Sequence, residues 1–268
     1  MSLTRRTALS LGAVALAGPA VAIGVTEPRA AAPSPSDIQA WSDYEVRLRN
    51  RLADAGGGKF DETTARAVLE LTNQARQATG APALIWHDEL AGAACAHAGD
   101  LARRGYIDHL SPEGFDPSHR FWLIGRTTVG SPSENIAYHR GEGPPITAPG
   151  LLRNWRNSPR HWENLLNPRH SHGGMGLVRT ADRAWLVGLY ARPLATLSEP
   201  LAFRPDGDAI NRALQGLSPD LLPRLTRPQG SLSGVATASP SIRQIAAVRR
   251  VGLGAFEVIG GPIFLANG

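Results

Sequence analysis

The side chains of this chain that could hold a metal or move a proton are histidines and carboxylates, and several stand where the backbone would fix their direction. His161 follows Ser158-Pro159. That pair reads as a helix start, with a serine hydroxyl able to cap free N–H groups and a proline suited to the first helical position. His161 then falls in the first turn, with Leu165 one turn on and Asn167-Pro168 ending the helix. His109 lies just past Gly105, in a segment read as a loop, where a histidine is freer to serve chemistry than on a packed stripe. His170 and His172 alternate and could share a metal, although two exposed histidines leading into a strand is the plainer reading. His97 sits beside a stripe of small residues and reads as structural. Cys95, the single cysteine, is flanked by alanines. It reads as a small buried thiol, with no disulfide open to it inside the chain.

Periodic segments must position these groups. Residues 37–55 have helical spacing (Ile38, Trp41, Tyr44, Leu48, Leu52) and end at Gly56-Gly57-Gly58. That helix could pack on the core or space it from the envelope. Asp61 is placed to cap a second helix, which carries Val68, Leu71, Ala75 and Ala78 and closes at Gly80. Asp88 is placed to cap a third, with Leu90, Ala94, Ala98 and Leu101 on one stripe and Gly105 as the stop. Phe121 to Gly125 reads as a short helix, and residues 139–150 as a loop that could fold over a site. Gly174–Arg179 and Ala184–Ala191 read as a hairpin whose alternation predicts one covered and one more exposed face. Asp208 could cap a short helix through Leu214, and residues 231–265 mix β-prone pieces with Gly-Pro breaks. The extension could pack on the core or form a weakly ordered tail.

The chain has 268 residues, 42% of them hydrophobic and 19% charged, ample for one well-buried core. Net charge is +5, falling to +3 without residues 1–32, which hold Arg5, Arg6 and Arg29 against Glu27. No Lys/Arg run marks a nucleic-acid stripe, so no nucleic-acid partner is expected. Residues 1–32 read as a twin-arginine-type signal peptide: Arg5-Arg6, a soft apolar run, then Ala20-Val21-Ala22 and Ala30-Ala31-Ala32 as cleavage sites. The run is too short and too mild to anchor in a bilayer. An exported protein is expected, periplasmic or secreted, with no transmembrane segment in its mature form.

Four stretches share a wording. They are Leu71-x-Asn73-x-x-Arg76-x-x-x-Gly80, Leu84-x-Trp86-x-x-x-Leu90-x-x-x-Ala94-x-x-His97-Ala98, Gly105-Tyr106-x-x-His109-x-Ser111, and Ser133-Glu134-Asn135-Ile136. With Trp155-x-x-Ser158-Pro159-x-His161-x-x-Asn164-x-Leu166 they resemble, in order, the bacterial CAP domain (cysteine-rich secretory proteins, antigen 5, pathogenesis-related 1), also called the SCP domain. The resemblance covers about residues 61–193. It implies an α/β/α three-layer sandwich, here with an N-terminal helix in residues 33–60 and a C-terminal extension, residues 194–268, of unassigned role. It also implies a central cleft that maps onto His109, Glu134 and His161, with Ser158 where animal and plant members have a second glutamate. Ser133 replaces a family glycine, which raises a question about the local backbone.

Two neutral imidazoles and one carboxylate suffice for Zn²⁺ or another divalent cation with a coordination position left open. The separations of these residues are too long to be diagnostic, so only a fold could bring them together. The leading expectation is an exported binding protein that takes a lipid, sterol or cell-wall ligand at that metal-capable cleft. One alternative is a metal-dependent hydrolase with Glu134 as base, or less simply Ser111 as nucleophile with His161 as base. Another is a structural envelope protein whose cleft is vestigial.

Overall fold

Two neighbouring strands, β5 (His172–Arg179) and β6 (Arg183–Ala191), are buried along nearly their whole length, and the architecture follows from covering both of their faces. The computed structural model describes residues 38–141, 146–215, 217, 222–226, 241–253 and 255–266. The expected signal peptide lies outside them. The remaining elements are α1 (Ile38–Asp54), β1 (Lys59–Phe60), α2 (Glu62–Ala78), β2 (Ile85–Trp86), α3 (Asp88–Arg104), α4 (Pro117–Ile124), β3 (Thr128–Val129), β4 (Ser133–Arg140), α5 (Ala148–Arg156), α6 (Pro159–Leu166), β7 (Ala195–Thr196), α7 (Ala209–Leu214), β8 (Leu222–Thr226), β9 (Ile242–Gly252) and β10 (Ala255–Leu265).

The main sheet runs β1-β5-β6-β4, with β2 pairing parallel to the start of β5. Alternate residues sort to opposite sides, as strand geometry requires. Val178, Trp185, Val187 and Leu189 pack with Trp41, Tyr44 and Leu48 of α1 and with α3 and α4. Met175, Leu177, Leu186 and Tyr190 pack with Val68 of α2, Leu151 and Trp155 of α5, and Leu165 of α6. The result is the α/β/α sandwich. It corrects the half-exposed hairpin face read from the alternation, because each set of apolar residues meets its own helical layer.

Helix α3 reaches the sheet by direct backbone contact. A Cβ on Gly176 would lie 2.2 Å from the Cys95 nitrogen, and one on Gly174 would lie 2.1 Å from the Ala91 nitrogen. The small residues of α3 and these strand glycines are two halves of one close approach.

Helix ends explain several boundaries. Asp61 caps α2 through the Thr64 N–H at 2.9 Å, and Gly105 ends α3 at φ 71°. The cap of α3 is His87, whose Nδ1 accepts from the Leu90 N–H at 3.4 Å, and not Asp88, whose carboxylate takes the Trp86 indole N–H. Asp116 and His119 form a reciprocal capping box that starts α4 at Pro117, four residues ahead of the apolar run. Residues 139 and 140 continue β4, and Thr147 caps α5, so the flap reading is corrected in its described part. Asp208 makes no side-chain cap of α7; Asp206 accepts the Ala209 N–H instead.

Both flanking regions join the core. Trp41, Tyr44 and Leu48 of α1, and Ile242, Ile263 and Leu265 of the extension, belong to the same buried cluster as α3 and α4. Gly260 of β10 lies flush on Trp122 of α4. Buried Arg126 donates to the carbonyls of Leu201 (2.5 Å), Trp122 (3.1 Å) and Ile263 (3.0 Å), so it ties the end of α4 to the extension.

Gly176→Ala should lower the urea unfolding free energy by about 3 kcal/mol, since the added carbon meets backbone that cannot yield. Gly207→Ala, where a Cβ meets nothing within 4 Å, is the control and should be neutral or slightly stabilising.

Candidate functional site

The site forms where β4, an edge strand, divides its side chains between the two layers. Glu134 pairs in register with Leu189 and shares its face, toward α3 and α4. Ser133 and Asn135 pair with Tyr190 and Gly188 and face α5 and α6.

On the first face, Arg120 of α4 is fully buried and organises everything within reach. Its guanidinium donates to Glu134 Oε2 at 2.8 Å, to the His109 carbonyl at 2.8 Å and to the Phe115 carbonyl at 3.1 Å. The loop from α3 to α4 is therefore tied to the same charge as the strand. The other oxygen of Glu134 accepts from His109 Nδ1 at 2.8 Å. His97 of α3 lies beneath, its Nε2 3.9 Å from Glu134 Oε1 and 3.0 Å from the Asp108 carbonyl. Since a carbonyl only accepts, His97 carries its proton on Nε2.

On the second face, Asn135 donates to the His161 carbonyl at 2.9 Å and Asn164 donates to Asn135 Oδ1 at 3.0 Å. Ser133 donates to Asn164 Oδ1 at 2.8 Å. Ser133 has no positive φ, so its backbone is unstrained, and its hydroxyl is used in the bond to Asn164. Arg76 of α2 secures the segment after α6 by donating to the carbonyls of Leu165, Asn167 and His170. The rings of His109 and His161 meet around the edge of β4, with centroids 6.5 Å apart.

Charge follows from these contacts. Burial alone would raise the Glu134 carboxyl, but the Arg120 charge, with His97 and the bonds from His109 and Arg120, brings it down to about 2. Burial and the Arg120 charge push His97 down to about 3, so it is neutral. The bond to Glu134 raises His109 against the opposing effect of burial. Burial, with the charge of His109, lowers His161.

The structure thus brings His109, Glu134 and His161 into one locality, though not as three ligands of one ion. Glu134 has both oxygens engaged, one by a buried guanidinium, and the side chain is only 2% exposed. Among the described residues no group of three or more His, Cys, Asp or Glu side chains is arranged to hold a metal ion. The donor set does not fit the expected Zn²⁺ site. What it forms is a carboxylate–imidazole pair, which orients His109 and strengthens its remaining nitrogen as an acceptor.

Other candidates fall into place. Ser158 is at the start of α6 but makes no side-chain cap, which corrects that role; its carbonyl accepts from Trp162 instead. Ser111 is buried and its hydroxyl accepts the Phe115 N–H at 3.2 Å, so it braces the His109 loop and is no exposed nucleophile. His170 and His172 are part-buried and take separate partners. His170 stacks on Tyr190 beside Ser133 and Asn164, and burial lowers it to about 4, helped by Arg76 and Arg169. His172 lies against His87. Cys95 is partly exposed, and burial with the charge of Glu62 pushes its thiol up to about 11, so it stays protonated.

Sequence reasoning missed Arg120 as the organising charge and placed His97 in packing alone. The available signal was a single charge opening the otherwise apolar run Arg120-Phe121-Trp122-Leu123-Ile124. A charge so placed needs a buried partner.

The pH dependence of stability has a definite sign. Between its ordinary pKa of 6.5 and about 3, His97 binds a proton only when unfolded, so its contribution is full above 6.5 and declines as pH falls. Glu134 adds a second decline from 4.5 toward about 2. The raised His109 acts oppositely, favouring the fold below 6.5 and losing that contribution as pH rises through its folded value. Urea midpoints measured from pH 7.5 down to 4 should fall toward acid, each group contributing at most about 1.4 kcal/mol per pH unit. His97→Gln should lessen the slope between 6.5 and 4.5 and leave the part that His170, lowered to about 4, contributes over the same window; an unchanged slope would remove His97 as a cause.

Comparison with known proteins places residues 69–190 in the family described as CAP: cysteine-rich secretory protein family. The chain is 30% identical over 142 residues to the membrane protein YlbC of Bacillus subtilis (strain 168), covering 51% of this chain and 39% of that protein. It is 34% identical over 120 residues to YkwD of the same organism, covering 44% and 43%. The matches thus span well under half the length of these relatives. Among solved structures, an outer surface protein from Borrelia burgdorferi superimposes with a TM-score of 0.44 at 20% identity, over 51% of this chain and 98% of that one. An extracellular protein containing a SCP domain from Bacillus anthracis str. Ames gives 0.40 at 25% identity, over 49% and 41%.

Proposed function

We propose, from the premise that this chain belongs to the CAP family through residues 69–190, that it is an exported binding protein for a cell-envelope amphiphile, a lipid, a sterol or a lipid-linked wall fragment. The observation that carries the reading is the His109–Glu134 bond. With Nδ1 held by a carboxylate at 2.8 Å and the side chain 49% exposed, His109 has its other nitrogen left for a ligand, beside the ring of His161. Above the raised pKa of His109 a hydroxyl of the ligand would donate to that nitrogen; below it the nitrogen carries a proton and would donate to a ligand oxygen. For the apolar part, a groove of about 360 Å³ lies between α2, α5 and α6, lined by Leu71, Ala75, Ala78, Leu152 and Trp162, with Gln74, Thr79 and Arg156 as its polar members and the Arg156 guanidinium 5.5 Å over the Trp162 ring. Trp162 follows His161 on α6 but points about 100° around the helix, so a ligand that touches both the histidines and the groove must cross α6. Export rests on Arg5-Arg6 and the soft apolar run that follows. No helix among the described residues is long and apolar enough to cross a membrane.

A second reading, hydrolysis, is favoured by the same bond, because an imidazole oriented by a buried carboxylate is the pairing a general base requires. Water would be the nucleophile, given the burial of Ser111. Glu134→Gln is a poor discriminator. It removes the carboxylate from Arg120 and leaves a buried guanidinium unpaired, at a cost of about 3–5 kcal/mol in stability. The half-exposed His109 is the better position.

Mass spectrometry of material extracted from the purified protein should find an envelope amphiphile with the wild type and little or none with His109→Ala/His161→Ala. Identical extracts from both would remove the cleft as the binding site. Turnover of released ligand by the wild type, lost in His109→Ala, would establish the hydrolase. Calorimetry with Zn²⁺ should give no tight one-site isotherm, since Arg120 and His109 hold Glu134. Saturable binding lost in the double variant would overturn that expectation and restore a metal held by the two imidazoles.

A further inference from the structure

The ribbon β9–β10 outruns its own core. Ala247 and Ile259 are the last buried cross-strand pair, and beyond them both strands continue to Gly252 and Ala255. At about 3.3 Å per residue, Val248 to Gly252 carry the tip on the order of 16 Å outward. What the ribbon carries there is apolar: Leu253 is 100% exposed, Phe256 59%, Val251 57% and Val258 43%. The register shift between Ala255 and Phe256 pairs Gly252 with Ala255 and Arg250 with Phe256, so Val251 is left as the bulged residue. Val248, Arg250, Phe256 and Val258 then share one face of the ribbon. Among the described residues none packs over these large apolar side chains, and in water they are a cost.

We infer that this tip is a membrane-docking element that enters the interfacial zone of an anionic phospholipid surface. Two observations select that partner. The first is position: Val251, Leu253 and Phe256 are exposed at the turn end of the ribbon, beyond its last buried pair, where large apolar side chains can enter between lipid head groups. The second is charge. Arg249 is paired with Glu257 across the ribbon, whereas Arg250 stands next to Val251 with its Nε donating to the Gly252 carbonyl at 3.2 Å. An arginine at this level can place its aliphatic stem along the apolar tip and its guanidinium at the phosphates. Each such residue near an anionic surface contributes about 1 kcal/mol, roughly a fivefold gain in partitioning. The stem of the ribbon is rigidly held, since Gly260 lies on Trp122 of α4, the helix that also carries Arg120. Docking by the tip would therefore fix the His109–His161 mouth at a set orientation to the lipid surface.

The test is vesicle co-sedimentation of protein recovered after export, so that its N-terminus is the one the cell leaves. Vesicles of equimolar phosphatidylglycerol and phosphatidylcholine are compared with vesicles of phosphatidylcholine alone. The wild type should partition about fivefold or more strongly onto the anionic vesicles, as one interfacial arginine implies. Leu253→Asp/Phe256→Asp should reduce anionic binding by about tenfold or more, because it removes the burial of two large apolar side chains. Leu253→Ser alone, at a fully exposed position, should reduce it by a smaller factor with an unchanged urea midpoint. Arg250→Gln should cost about fivefold on anionic vesicles and nothing on the others. Failure to sediment with either vesicle would overturn the inference, as would equal binding to both or binding indifferent to the tip variants. A dimer in vesicle-free centrifugation that the tip variant abolishes would overturn it in favour of a second copy as the partner. Each readout is scored on the tip variants, which leave the residues of the cleft in place.

Discussion

A buried ion pair between α4 and β4 is the interaction on which the rest of this structure depends. Arg120 and Glu134 are both removed from water, and neither could stay charged there without the other. Desolvation of such a pair offsets much of its attraction, so its consequence is specificity more than net stability. The guanidinium has further donors. By directing them to the His109 and Phe115 carbonyls it fixes the loop between α3 and α4 relative to a strand that follows it in sequence. The second carboxylate oxygen then sets the ring of His109. A single charge thereby decides the position, tautomer and basicity of the most accessible imidazole in the site.

That arrangement tolerates no slack in the layers, and the packing supplies none. Helix α3, which carries His97 beneath Glu134, meets β5 through backbone at Gly174 and Gly176. Helix α4 is pressed from outside by Trp41 of α1 against His119 and by Gly260 of β10 against Trp122. The second layer is fixed differently, by carbonyls that converge on Arg76 and by the amide chain Ser133–Asn164–Asn135. The two histidines at the mouth thus belong to separately braced layers, and the edge strand β4 is the element they share.

Much of this was legible in the chain, for reasons that differ by element. The helices of residues 62–78 and 88–104 announce themselves because periodicity and end signals act within a few residues, and Asp61 and Gly105 hold the roles their types suggest. Gathering His109, Glu134 and His161 required the family wording, since their meeting is set by strand order. Local reading also failed at two helix starts, where several neighbouring side chains could serve. Ser158 could cap α6 and does not, while Asp88 yields its expected role to His87. The hairpin's alternation could not reveal that a second helical layer covers its other face. Arg120 was passed over for the same reason: its partner lies fourteen residues away, on another element.

The identity of the organising charge also bears on what the cleft can do. Had Glu134 faced His109 and His161 with both oxygens open, the three would make a ligand set for a divalent cation. With Arg120 on Oε2 the carboxylate is neutralised as a pair and directed at one imidazole nitrogen. An imidazole so held is a good acceptor from a hydroxyl, and a general base only if a nucleophile stands near it. Ser111 is turned inward to brace the loop, so any nucleophile must arrive with solvent or ligand. Binding therefore needs only what the site already contains, whereas hydrolysis needs one component more. That difference, and not the presence of the histidines, is what separates the two readings.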